Sequence, residues 1–522
     1  MEYVVTAAQM REHEQYVMET IGIDASVLME RAAMYAAKVI SKRIEKEDRI
    51  LIVCGVGNNG ADGVALARIL TEKGFEADVL ALGNFEKYTP LRRKQEEILR
   101  KVFGLKEGIS ADRRISESLT DTKKRQREYA VIVDAILGIG TSRELSGEIK
   151  EAVEWMNTLP AMKIALDIPT GICADTGRVL GAAFRADITT TFGLRKQGLL
   201  LGEGKVYSGK VKYDSCGMVY PSMSGKDTFI LNKNEVRTYI KRNPNGNKAT
   251  FGKLSFFAGS KEIAGAAILN VSAAFRSGAG YVRLCTHEEN KEAVLEAAPE
   301  TVLDLYGAEE EISIRKKVKK AAGFAGVICA GSGIGTGESA VTIMNALAEE
   351  IAGSEQKTLV LDADALNLLA GDAVLKETVF QGKGSLILTP HVLEFSRLSG
   401  LSVEEIKSDR VKAAREFACK NKCILVLKDA QTVVAGPDGR VCISVKGNDG
   451  MAVAGSGDVL AGVIAAMAGQ MKDSYIAACS GVYIHAMAGD MAAEKLGEHS
   501  MLPTDMIHCL KKCMKKLGKE AD

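Results

Sequence analysis

Short apolar runs that do not alternate, each ending in glycine, asparagine or aspartate, constrain this chain more than any other feature. In the first half they are Ile50-Leu-Ile-Val-Cys54, Ala130-Val-Ile-Val-Asp134 and Ile164-Ala-Leu-Asp167. Amphipathic stretches such as Val64 to Leu70 and Leu145 to Met156 separate them. Strands that are apolar on both faces need cover on both faces, which means a parallel sheet flanked by helices. In such sheets ligands bind beyond the carboxyl ends of the strands. Asn58, Asn59, Asp62, Asp134 and Asp167 are therefore expected at one crevice. Upstream, Ala7 to Met18 and Ala25 to Lys42 read as helices.

Met218 to Asp227 (M-V-Y-P-S-M-S-G-K-D) has no periodicity and marks a boundary. Beyond it the same logic restarts, with Leu254 to Ala258, Gly326 to Ala330, Thr358 to Asp362, Ser385 to Thr389 and Ile424 to Lys428 as strands. Two α/β units are expected, residues 1–221 and 226–522. The 522 residues include 52 glycines and only 9 prolines, a balance opposite to that of a linker-rich or disordered chain. The glycines concentrate in strand-to-helix loops.

A formal net charge of +1 gives no basic field for nucleic acid. Met1-Glu2-Tyr3 lacks the basic start of a signal peptide. Met451 to Gly469 is apolar but interrupted by Gly455, Gly457 and Gly462, so a buried loop and helix is expected, not a membrane span. The 11 cysteines lie mostly in apolar runs, as free thiols of a reducing, cytoplasmic setting do. The pairs Cys419/Cys423 and Cys509/Cys513, the latter beside His508, have helical spacing without a complete zinc set.

Gly55-Val-Gly-Asn-Asn-Gly-Ala-Asp-Gly63 joins a strand to a helix. Glycines admit a phosphate to backbone N–H groups at a helix N-terminus, and the two asparagine amides exceed what a turn requires. Asp134 and Asp167 end the next two strands, where an aspartate can also simply cap a turn. The oxygens of Asn59, Asp134 and Thr170 are hard ligands suited to an alkali or alkaline-earth cation.

Together with Thr191-Phe-Gly-Leu-Arg-Lys-Gln-Gly-Leu-Leu200, these motifs resemble the NAD(P)H-hydrate epimerase domain, over about Met1 to Pro221. The resemblance implies a Rossmann-like three-layer fold. It implies hydrate binding at Asn58, Asn59, Gly60, Ala61 and Asp62, at Gly138, Ile139, Gly140, Thr141, Ser142, Arg143 and Glu144, and at Asp167. It also implies potassium at Asn59, Asp134 and Thr170. Ala61 and Thr170 stand where that family usually has Gly and Ser. Asp134 and Asp167 are the candidate catalytic carboxylates.

In the second half, Gly455-Ser-Gly-Asp458 opens an apolar helix. An anion can rest on its N-terminus, with the Asp458 carboxylate placed to handle a hydroxyl proton. This loop resembles the ribokinase-like superfamily. Lys248-Ala-Thr-Phe-Gly252, Gly331-Ser-Gly-Ile-Gly335, Asp362-Ala-Asp-Ala-Leu-Asn367, Leu388-Thr-Pro-His391 and Lys428-Asp-Ala-Gln-Thr432 narrow the likeness to the ADP/ATP-dependent NAD(P)H-hydrate dehydratase. That resemblance implies nucleotide contacts at Lys428, Asp429, Ala430, Gln431, Thr432 and Gly457. It implies hydrate contacts at Ala266, Gly333, His391 and Asp458. Asp449 departs from the usual Pro or Ala.

The implied activity is repair of NADH and NADPH hydrates. The first unit would interconvert R and S epimers, and the second would dehydrate the S epimer using ADP (or ATP) with magnesium. Small molecules are the expected partners, in a homo-oligomer, with neither nucleic acid nor membrane. The main alternative is a ribokinase-like small-molecule kinase with an N-terminal nucleotide-binding domain, which explains neither Asn58-Asn59 nor Thr-Pro-His391. A NAD-dependent oxidoreductase lacks its G-x-G-x-x-G loop here. A non-catalytic binding module for the first unit leaves Asp134 and Asp167 without a purpose.

Overall fold

The computed structural model describes residues 1–104, 114–220, 227–307 and 311–518. The chain divides into two compact units, Tyr3–Ser224 and Gly225–Asp522 with Met1–Glu2. The expected linker, 221 to 226, lies outside the described residues.

The first unit is built on a seven-stranded sheet. Its central strands are Glu76–Ala81, Arg49–Cys54, Val131–Ala135, Met162–Leu166 and Ile188–Phe192, side by side in that order and all parallel. Ile50, Ile52, Val133 and Ile164 are fully buried. They pack on the helices Ala25–Ile40 and Asn58–Glu72, whose inward faces carry Ala33, Ala36, Val64 and Ala65. The helix Ala7–Tyr16 starts on a capping box in which Thr6 and Gln9 bond each other's backbone. It runs into a single π turn, Val17–Ile21, so the expected helix to Met18 bends at its end.

In the second unit Tyr281–His287, Lys253–Phe257, Val327–Ala330, Thr358–Leu361, Ser385–Leu388 and Ile424–Leu427 form a parallel run. Val433–Ala435 and Val441–Ile443 extend it antiparallel. The strands expected from the apolar runs are present, with ends shifted by a residue or so. The helix Ser456–Gln470 is buried along most of its length, and the helix Ala264–Arg276 packs across it. Among the described residues no helix is long and apolar enough to cross a membrane. All 11 cysteines are free. Cys509 and Cys513 are buried whereas His508 is exposed, so the three do not converge on one metal position.

Candidate active sites

In the first unit the carboxyl edge of the sheet opens into a cavity of about 410 Å³. Asn58, Asn59, Asp62, Gly138, Ile139, Gly140 and Asp167 all line it. A Cβ on Gly138 would lie 3.2 Å from Asp167 Oδ2 and 3.5 Å from the Asn59 Cβ, so three separate loops meet there. Gly60 and Ala61 serve the loop itself. A Cβ at Gly60 would fall 2.0 Å from the Gly55 carbonyl oxygen, which no side chain tolerates. The Ala61 methyl is fully buried in the core and is not among the residues lining the cavity. The departure from Gly at that position therefore does not narrow the cavity. Thr141 bonds the Gly138 carbonyl at 3.1 Å. Ser142, Arg143 and Glu144 are exposed and lie outside the cavity lining.

Asp134 sits behind the cavity, with no exposed surface. Its Oδ1 accepts from the Thr170 hydroxyl at 2.7 Å and the Ile136 N–H at 3.1 Å, and its Oδ2 from the Thr170 N–H at 2.7 Å. Burial pushes its pKa up to about 6, against the downward pull of those hydrogen bonds. Among the described residues no cationic side chain pairs with it. Nearby, Asn59 Nδ2 donates to the Leu137 carbonyl at 3.0 Å, while Asn59 Oδ1 is buried without a hydrogen-bond partner. A buried carboxylate without a cationic partner and an orphaned amide oxygen close by fit an alkali or alkaline-earth cation of hard-oxygen preference.

Asp167 occupies a left-handed backbone conformation at φ +63°, which turns its side chain over the strand ends. Its Oδ1 accepts from Lys196 Nζ at 2.5 Å. That ammonium is buried and also donates to Thr191 Oγ1 at 3.2 Å and the Phe192 carbonyl at 2.6 Å. Glu14, Arg11 and Lys196 complete the polar lining, and sequence reasoning singled out none of them. Burial, then the carboxylates of Asp167 and Glu14, hold Asp62 well above the ordinary carboxylate range.

In the second unit the loops after consecutive parallel strands converge on the glycine-opened helix. Gly455 caps that helix at φ +93°, a conformation that favours glycine. Lys428 Nζ donates to Asp362 Oδ1 at 2.7 Å, and the Thr389 hydroxyl donates to the same oxygen at 2.7 Å. Burial alone would lower the Lys428 ammonium, but Asp362, Glu394 and Asp458 outweigh it and hold it above its ordinary value. A Cβ on Gly457 would lie 3.3 Å from Lys428 Nζ and 3.8 Å from Asp362 Oδ2. That is the space an anion on the helix N-terminus would use. Burial, then the negative charge of Asp362, pushes Asp458 up to about 6. Asn270 fixes its main chain, donating to the Asp458 carbonyl at 2.7 Å.

Ala266 and Gly333 face each other, since a Cβ on Gly333 would lie 2.9 Å from that of Ala266. His391 caps the helix Val392–Ser399, its Nδ1 accepting from the Leu393 and Glu394 N–H groups. Its Nε2 lies 3.3 Å from Glu394 Oε1. The ring is thus spoken for at Nδ1 and half exposed, at the strand end beside Lys428. Asp429 pairs with the buried Arg410, which also reaches Gln431 Oε1 at 3.4 Å. Ala430 is exposed, and the Thr432 carbonyl accepts from the Ser444 N–H at 2.9 Å. Asp362 is the residue here whose role the motif did not disclose. His485 is another: it is buried and held neutral, its pKa lowered to about 4 by burial, with Nε2 at 3.0 Å from the Ser456 carbonyl under the glycine loop.

Residues 25–198 match the family described as YjeF-related protein N-terminus, and residues 254–512 match the family described as NAD(P)H-hydrate dehydratase. A bifunctional NAD(P)H-hydrate repair enzyme of Thermofilum pendens is 33% identical, over 99% of this chain and 97% of its own. The enzyme of that name from Escherichia coli is also 33% identical, over 97% and 93%. The chain belongs to the bifunctional NAD(P)H-hydrate repair enzymes. The solved ADP/ATP-dependent NAD(P)H-hydrate dehydratase of Bacillus subtilis, co-crystallised with ATP and Mg2+, is 28% identical with a TM-score of 0.48, covering 55% of this chain and 98% of that one.

The Gly457 geometry gives a direct expectation. Gly457→Ala keeps the helix, because its backbone is ordinary and alanine favours helix. The added methyl enters the anion space, so nucleotide-dependent turnover should drop by roughly 10²-fold with an unchanged melting temperature. Full activity in this variant would show that no phosphoryl group passes there.

Proposed function

We propose that the first unit interconverts the R and S hydrates of NADH and NADPH, and that the second dehydrates the S epimer at the expense of ADP, giving AMP and phosphate. The observation that carries this reading is the coexistence, in one chain, of two separately built carboxylate sites at sheet edges. One has a buried anionic wall with an orphaned oxygen, and the other is a glycine helix opening beside Lys428, Asp362 and Asp458.

In the hydrate the nicotinamide ring carries a hydroxyl on carbon six. In the first unit the ring nitrogen pushes out that hydroxyl as water, leaving an iminium that water re-enters from either face. Asp167, paired with Lys196 Nζ at 2.5 Å, faces the positive charge that develops on the ring. Potassium would be held by Asn59 Oδ1, Asp134 and Thr170, and would supply fixed positive charge that orders this wall. Asn59→Ala or Thr170→Ala should therefore remove potassium stimulation of epimer exchange while leaving the second activity untouched. Equal stimulation in wild type and both variants would place the cation elsewhere.

In the second unit the difficulty is that hydroxide leaves poorly. Asp458 takes the proton of the carbon-six hydroxyl as its oxygen attacks the terminal phosphorus of ADP, and AMP departs. The Gly455 to Gly457 amides and Lys428 stabilise the migrating phosphoryl group. The ring nitrogen then expels phosphate, the adjacent carbon loses a proton, and the reduced nicotinamide is restored. Magnesium travels with the nucleotide. Fusion of the two units does not by itself choose the donor. A bifunctional NAD(P)H-hydrate repair enzyme of Leishmania braziliensis, a eukaryote, is 32% identical over 95% of this chain. Separate assays with ADP and ATP decide it, and ADP is expected to give the higher kcat/KM. We further expect a homo-oligomer acting in the cytoplasm, and sedimentation of the purified protein tests its oligomeric state.

A further inference from the structure

Epimerisation at carbon six makes a demand that Asp167 does not meet. A hydroxyl leaves as water only if it receives a proton, and the incoming water must give one up. Asp167 is paired with the buried Lys196 ammonium at 2.5 Å, so its Oδ1 is taken up by that ion pair. The Lys196 ammonium in turn donates to three acceptors, Asp167, Thr191 and the Phe192 carbonyl, and has no N–H left over for a substrate. Asp134 lies behind the wall with its oxygens bonded to Thr170 and Ile136. The proton carrier must be another group on the cavity surface.

Glu14 has the required position. It lines the same cavity as Asp62, Asp167 and Lys196, but it is carried by the helix Ala7–Tyr16 and not by a sheet-edge loop. Among the described residues its carboxyl group has no hydrogen-bond or ion-pair partner, so both oxygens are available to a substrate. We propose that Glu14 is the proton carrier of hydrate epimerisation. Its carboxyl proton passes to the carbon-six hydroxyl as the C–O bond breaks and the ring nitrogen forms the C=N bond. The resulting carboxylate takes a proton from the water that adds back to carbon six. Atoms, charge and protons return to their starting state, as an isomerase requires. The proposal rests on the epimerase reading of the first unit and adds a residue to it.

The electrostatics agree. Burial, then the negative charge of Asp167, raises the Glu14 pKa, opposed by Lys196 and Arg11. Asp62 faces it from the glycine-loop helix, and Tyr220 and Cys216 from the segment after the last strand. Three carboxyl groups in one small cavity do not all ionise at neutral pH. Asp62 and Glu14 both lack a fixed cation among the described residues, and the transferred proton is assigned to Glu14, which stands on the helix outside the sheet with both oxygens unpaired.

The test is Glu14→Gln in the full-length protein, assayed for exchange of purified S-NADH hydrate into the R epimer without nucleotide. Expected is a fall in kcat of roughly 10²–10⁴-fold with KM within about threefold, and, if wild-type exchange slows as pH rises and Glu14 loses its proton, absence of that slowing in the variant. Glu14→Asp should recover part of the rate. Wild-type-like exchange in Glu14→Gln overturns the proposal while leaving the epimerase reading standing. Loss through raised KM alone, or a Glu14→Asp variant no better than Gln, also overturns it by making Glu14 a packing or binding residue. Absence of exchange in wild type itself would instead refute the epimerase reading.

Discussion

Asp458→Asn is expected to lower ADP-dependent recovery of NADH from the S hydrate by roughly 10²–10⁴-fold, with epimer exchange unchanged. The asparagine keeps the shape of the side chain but cannot take the hydroxyl proton. The sign of the pH dependence follows from the same carboxylate. Burial and Asp362 push Asp458 up to about 6, and a general base works only when ionised. Wild-type dehydration should therefore fall as pH drops through about 6. The stability effect has the opposite direction to the activity effect. A carboxyl whose folded pKa lies above its unfolded value costs stability at neutral pH, where it is ionised. Asp458→Asn should thus melt no lower than wild type at pH 7. A large drop in melting temperature would mean that lost activity reflects damage to the fold.

The second large effect is at Asp167. Asp167→Ala leaves Lys196, which is only 1% exposed, without its carboxylate. Breaking such a buried pair costs roughly 3–5 kcal/mol, at the lower end here because the Asp167 side chain keeps 15% exposure. The first unit should lose stability and epimerisation together. The double variant Asp167→Ala with Lys196→Met removes the stranded charge, so stability should recover while epimerisation stays lost. Denaturant unfolding and epimer exchange on the same samples separate the two. Unchanged epimerisation in either variant would take Asp167 out of the catalytic set.

The strands that carry both sites were legible because a strand buried on both faces has to be apolar. Ile188–Phe192 was not, since three of its residues are threonines. The structure buries Thr189, Thr190 and Thr191 completely and satisfies the first two with carbonyl acceptors, Thr189 to Ser208 at 2.8 Å and Thr190 to Ala165 at 3.3 Å. Such hydroxyls read as polar surface until their acceptors are known. Of the residues that the strand ends put at one crevice, Asn58, Asn59, Asp62 and Asp167 line one cavity, whereas Asp134 lies buried behind it. Ala61 shows what a motif omits: it is buried in the core with Val64 and Ala65, while its neighbours Asn58, Asn59 and Asp62 line the cavity. Glu14 sits on a helix outside the sheet, and its approach to the cavity depends on tertiary packing that no local pattern encodes. Lys196 and Asp362 lay within motifs, yet their charge partners are 29 and 66 residues away in sequence.

In this reading one chain carries two independent chemistries acting in series on one metabolite. Mixed R and S NADH hydrates, incubated with the protein, ADP and Mg2+ while the absorbance of reduced nicotinamide is followed, test it most directly. Wild type should recover both epimers completely. Asp458→Asn should recover neither yet still exchange them, and Asp167→Ala should stop near half, at the S epimer alone. Recovery of about half by wild type, or loss of epimer exchange in Asp458→Asn, would contradict the account.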